Sequence, residues 1–138
     1  MPKALRSVLA VVGGFLLIGA LAFGTGKVVQ AAWPAQHDAA GTPTTTAMMI
    51  LQLLYVGVYA TLGCWLAARL APSRPMLHAL ALGVLGLALN IPSAVVMRDS
   101  APAWYLAAGI LTTMLWAWIG GRIAESQRGA AGPVPATA

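Results

Sequence analysis

Read for the alternation of apolar and polar positions, the chain divides into four long apolar stretches with short polar breaks between them. The first is Ala4–Phe23, "ALRSVLAVVGGFLLIGALAF", uncharged after Arg6. The second is Ala47–Ala68, "AMMILQLLYVGVYATLGCWLAA", and the third Met76–Met97, "MLHALALGVLGLALNIPSAVVM". The fourth is Pro102–Ile123, "PAWYLAAGILTTMLWAWIGGRI". Each approaches or exceeds the roughly 20 apolar residues that carry an α-helix across about 30 Å of hydrocarbon. Period-two alternation is absent and leucine and alanine dominate, which makes transmembrane strands a poor alternative. The links "RLAPSRP" and "RDSA" are short enough to force antiparallel neighbours. The pattern therefore predicts an all-α membrane protein: a four-helix transmembrane bundle, up-down-up-down, over residues 1–124. An outer loop is expected over 24–46 and a disordered tail over 125–138, where "ESQRGAAGPVPATA" is small, polar and proline-containing.

Composition agrees with that pattern. Of 138 residues 59% are hydrophobic and only 8% charged, against about a quarter charged in soluble domains. The net charge of +5 does not point to nucleic acid, because the bases sit near segment ends rather than in a stripe. Their distribution instead orients the bundle. With the N-terminus in the cytoplasm, Lys3, Arg6, Arg69, Arg74, Arg122 and Arg128 lie inside, and Lys27 and Arg98 outside. That bias predicts both termini on the cytoplasmic side. The uncharged stretch Ser7–Phe23 has 17 residues, longer than the usual 7–15 of a signal-peptide core, so the first segment is read as a retained span.

Candidate chemistry is sparse. The acids Asp38, Asp99 and Glu125 all lie outside the spans, whereas a proton-coupled carrier keeps an ionisable group within the membrane. An intramembrane hydrolase would need paired acids, a Ser/His arrangement or a metal cluster, and none is spelled here. His37 and His78 fall on opposite sides of the bilayer and cannot share a metal. Cys64 is alone and reads as a small packing residue. The expectation is a protein with no catalytic residues, no metal and no cofactor.

Uncharged polar and small residues carry the remaining signal. Ala79, Gly83, Gly86 and Asn90 fall on one face of the third span, and such stripes mark protein-facing sides. Gln52, Tyr55, Tyr59 and Gly63 form a second stripe on the second span. At about 1.5 Å per residue Asn90 lies roughly 10 Å from the outer end of its span, level with Gln52 and Tyr55, with Thr112 slightly deeper. These residues are expected to form an intramembrane polar cluster, serving as interhelical glue or lining a site for a small neutral ligand. Gly14, Gly63, Gly83, Gly86, Gly121 and Ala79 are the expected helix-packing positions, Ala10–Gly14 and Ala117–Gly121 being small-xxx-small pairs. Pro92 removes the hydrogen bond to the Ala88 carbonyl and predicts a kink, with Ser93 bonding back to Leu89. The endings "GCWLAAR" and "GGRIAES" are alike, through duplication of a helical hairpin or through shared interface chemistry.

The run "GCWLAARLAPSRPMLHALALGVLGL", followed by "APAWYLAAGIL" and "GGRIA", resembles small four-span bacterial membrane proteins of unassigned function. The resemblance covers spans two to four. It implies a multi-pass protein of a bacterial cytoplasmic (inner) membrane and brings no catalytic residues with it. The small multidrug-resistance exporters share the span count, but their first-helix glutamate has no counterpart here. The function expected is a non-enzymatic accessory or structural membrane component. The alternative is a small transporter or channel subunit acting as a homo-oligomer. The partners expected are the lipid bilayer and a second copy or another membrane protein.

Overall fold

The computed structural model describes residues 2–132 and is all-helical apart from one isolated bridge. Four α-helices follow one another: α1 Lys3–Ala32, α2 Thr46–Leu70, α3 Pro75–Met97 and α4 Ala103–Ala130, with a 3-10 turn at Pro34–Gln36. All four are long and apolar enough to cross a membrane.

Contacts between named residues fix their directions. Gly14 meets Gly63, and Thr25 meets Tyr59, so α1 and α2 run antiparallel. Gly121 meets Ala79, and Gly83 meets Ala117, so α3 and α4 do too. Gly57 lies under Trp116 and Trp65 reaches Gln127, which makes α2 and α4 parallel. One end of the bundle thus carries the α2–α3 link (the link end), and the other carries the 33–45 loop (the loop end).

The interior is built from small side chains. Ala67, Ala68, Ala79 and Ala117 have no exposed surface, and Cys64, Leu82 and Ala124 join them in one core. A Cβ on Gly14 would lie 2.5 Å from the Gly63 carbonyl oxygen, and one on Gly120 would lie 2.5 Å from the Thr61 carbonyl oxygen. The helices therefore touch backbone to backbone, and dispersion between close main chains takes the place of large interdigitated side chains. The large apolar residues point outward: Val96 is 81% exposed, Leu111 76% and Phe23 70%. Among the described residues no polar or charged residue is buried. Small inside and greasy outside is the arrangement of a bundle solvated by lipid.

The structure differs from the sequence pattern at two boundaries. α1 continues through "GTGKVVQAA" to Ala32, where the sequence placed the outer loop from residue 24. Polarity marks where lipid ends, whereas a helix continues until something stops it. Here the stop is Trp33, held out of the helical region (φ −131°, ψ 62°) ahead of Pro34. α4 likewise runs to Ala130 through part of the expected disordered tail; residues 133–138 lie outside the described residues. This extension docks on α2. Gln127 Oε1 accepts from Trp65 Nε1 (2.9 Å) and Arg69 Nη1 (2.7 Å). Arg128 Nη2 donates to the carbonyls of Ala68, Arg69 and Ala71 at 2.7–2.9 Å. Those acceptors close α2, so a cation sits where the helix dipole is negative.

The loop is a built turn. Asp38 Oδ1 accepts from the Ala40 and Thr42 amides (2.9 and 2.8 Å), and Gly41 takes φ +84° against Gln30. The Thr42 amide is the main cause holding the Asp38 carboxyl below its ordinary pKa, opposed by a little desolvation and helped by Ala40. Thr45 accepts from the Met48 amide (3.4 Å), the hydroxyl cap expected of "GTPTTT", and donates to Gln36 Oε1 (3.0 Å). In the α2–α3 link Arg74 enters the left-handed region (φ 47°), turning the chain directly into Pro75 at the first position of α3.

Candidate functional site

The small-residue stripe of α3 faces α4 and not the polar stripe of α2. A Cβ on Gly83 would lie 2.6 Å from Ala117 Cβ, one on Gly86 3.1 Å from Thr113 Cγ2, and one on Gly121 3.0 Å from Ala79 Cβ. Asn90 continues this ladder, its Nδ2 donating to Thr113 Oγ1 at 2.8 Å. Thr113 in turn donates to the Gly109 carbonyl at 2.7 Å. Asn90 is thus paired with α4 rather than with Gln52 or Tyr55, because both facing stripes are small and the backbones close up between them. The sequence held the signal for Thr113. It lies four residues before Ala117 and eight before Gly121, on the same face. Thr112, the residue singled out, is turned one position away and bonds back to the Ala108 carbonyl at 2.7 Å.

The polar stripe of α2 divides between two neighbours. Tyr59 hydroxyl lies 2.8 Å from Thr25 Oγ1 on α1, and the Tyr55 hydroxyl is the nearest group to Gly26. The two tyrosine rings are 5.9 Å apart. Tyr55, Tyr59 and Gly63 therefore belong to the α1 contact, and Gln52 lies apart from them.

Gln52 lines a cavity of about 370 Å3 between α2, α3 and α4, with Phe15 and Ile18 of α1 completing its wall. Asn90, Ser93, Thr112, Thr113 and Trp116 share its wall, with Tyr105 towards the loop end and Cys64 towards the link end. Its surroundings are predominantly apolar. The hydroxyls of Ser93, Thr112 and Thr113 are committed to carbonyls of their own helices, Ser93 to Leu89 at 2.8 Å as Pro92 and its neighbour predicted. α3 remains helical through Pro92. The hydrogen-bonding groups left on the wall are the Gln52 amide, the remaining Asn90 amide atoms, the Trp116 indole N–H and the Tyr105 hydroxyl.

Such a wall can orient a neutral molecule; it offers no carboxylate, imidazole or amine for proton transfer. His37 Nδ1 donates to the Trp33 carbonyl and His78 Nδ1 to the Arg74 carbonyl, at opposite ends of the bundle and away from the cavity. Among the described residues no three of His, Cys, Asp and Glu gather as metal ligands.

No family model, curated protein or solved structure matches the chain.

Proposed function

We propose that this chain is a non-enzymatic, multi-pass component of a bacterial cytoplasmic membrane, with both termini inside, acting by lateral association within the bilayer. The observation that carries the reading is the inverted distribution of side-chain size, with alanine and glycine dominating a core that holds few large side chains (Met49, Leu82 and Tyr105) and most leucines, valines and tryptophans partly or fully exposed. A surface of that kind presents shape to lipids and to other membrane helices, and no reactive group. The acids support the same reading: among the described residues Asp99 pairs with its exposed neighbour Arg98, and Glu125 with Arg122 one turn away. Six of the eight bases gather at the link end and the termini, the cytoplasmic side under the positive-inside rule. The bacterial assignment rests on the resemblance of spans two to four.

A second reading, a small transporter or channel subunit acting as a homo-oligomer, draws its support from the uncharged Gln52 and Asn90 amides on the otherwise apolar cavity wall.

Native mass in mild detergent separates the two. An accessory component elutes with a second protein at fixed stoichiometry, whereas a homo-oligomeric subunit elutes at a multiple of 14.2 kDa. A strict monomer with no co-purifying protein removes both.

A further inference from the structure

We infer that the cavity between α2, α3 and α4 is a binding site for an uncharged, lipid-soluble molecule of one or two rings bearing a carbonyl or hydroxyl group, taken up laterally from the bilayer. This goes beyond an accessory role and requires only that the bundle lie in a membrane.

Depth comes first. α3 has 23 residues, about 35 Å, a few ångströms more than the hydrocarbon layer. Asn90 is seven residues before the end of α3 and Gln52 six after the start of α2, so both amides lie roughly 9–10 Å in from the helix ends. Phospholipid esters and headgroups stay at the boundary and bring only methylene groups to that level. Unsatisfied polar groups in hydrocarbon are costly, and the Gln52 side chain, on the cavity wall, makes no hydrogen bond among the described residues. The polar partner that suits these amides is therefore a molecule that itself dissolves in the hydrocarbon.

Shape and charge narrow its class. A volume of about 370 Å3 falls in the range of small-molecule sites, and apolar walls with a few placed polar groups are their usual composition. No Lys, Arg, Asp, Glu or His lines the cavity, so a charged ligand would enter with nothing to neutralise it. The amides both donate and accept, which suits a ketone, quinone-like or phenolic group. The space is held open partly by Gly109, where an added Cβ would meet nothing within 4 Å. Trp116 and Tyr105 supply aromatic surface along the wall.

Benzophenone tests the site directly, being neutral, two-ringed, ketone-bearing and photoreactive towards C–H bonds. The full chain in phosphatidylcholine vesicles is irradiated over a range of benzophenone concentrations and the adducts are mapped by mass spectrometry. The expected result is saturable labelling at cavity residues such as Leu53, Met97 and Leu106, competed by diphenylmethanol. The Gln52→Leu/Asn90→Leu double variant should raise the half-saturating concentration about five- to tenfold, as two lost intramembrane hydrogen bonds imply. Gly109→Leu, whose Cβ enters open space, should abolish saturable labelling while leaving helicity and melting unchanged. Labelling that rises linearly, falls on lipid-facing Val96 and Leu111, and is the same in all variants would overturn the site. So would a Gly109→Leu chain whose native mass drops from dimer to monomer, since a second copy would then be the occupant.

Discussion

Two adjacent glycines show how far register decides a residue's role. A Cβ added at Gly14 would lie 2.5 Å from the Gly63 carbonyl oxygen and 2.8 Å from Leu82 Cδ2, while one added at Gly13 would meet nothing within 4 Å. Gly14→Ala is expected to cost about 1–3 kcal/mol, because the obstacle is backbone and cannot rotate away. Gly13→Ala should be neutral or gain up to about 1 kcal/mol in helix propensity. Unfolding in mixed micelles with increasing dodecyl sulfate measures both. Equal midpoints for the two variants would mean that α1 and α2 are not in backbone contact. The sequence distinguished these residues through the spacing of Gly14 from Ala10, both of which are buried. It could not name the partner, since Gly63 is 49 positions away and marked only by its own small neighbours. Asn90 was similarly legible as a helix-bonding residue and illegible in its partner and its exposure: Gln52 and Thr113 lie at comparable depths, and the side chain bonds to α4 while remaining exposed. Thr113 takes the bond because glycines at 83 and 86 let α3 close on α4.

At the scale of elements, the four helices and their order were legible because long apolar runs have few alternatives. The helix ends were not. Hydropathy reports where lipid stops, and both α1 and α4 outrun it, to Ala32 and Ala130. The extension of α4 is held by Gln127 and Arg128 against the end of α2. A helix-terminal cation of this kind contributes about 0.3–1 kcal/mol, and these groups are partly exposed. Replacing both in Gln127→Ala/Arg128→Ala should release the last two turns of α4. Trypsin cleavage after Arg122 is then expected to accelerate by up to about fivefold, the change in open population that about 1 kcal/mol implies. The Arg128→Lys variant should recover part of the protection, because a single ammonium can reach fewer of the three carbonyls. Unchanged cleavage in the double variant would show that the extension is held by its own helical hydrogen bonds alone.

For the whole molecule, the hydrophobic pattern and the packing are consistent with a single direction in the membrane, and that direction has a simple test. Cys64 is 3% exposed and lies within a membrane-competent helix, so replacing it with alanine leaves a background free of thiols. Single cysteines are then placed at four exposed positions: Ala39 and Ser100 at the loop end, and Ser73 and Ser126 at the link end. In intact spheroplasts, a membrane-impermeant maleimide should label the first pair fully and the second pair only after lysis. The reasoning is electrostatic. Lys3, Arg6, Arg69, Arg74, Arg122 and Arg128 lie with the link end and the termini, while Lys27 and Arg98 lie towards the loop end, and short basic segments resist translocation. The reverse labelling pattern would mean that packing, and not charge, sets the orientation. Labelling of Ser73→Cys and Ser126→Cys on opposite sides would contradict the four-span reading itself, because α2 and α4 run parallel and end together where Trp65, Arg69 and Gln127 meet.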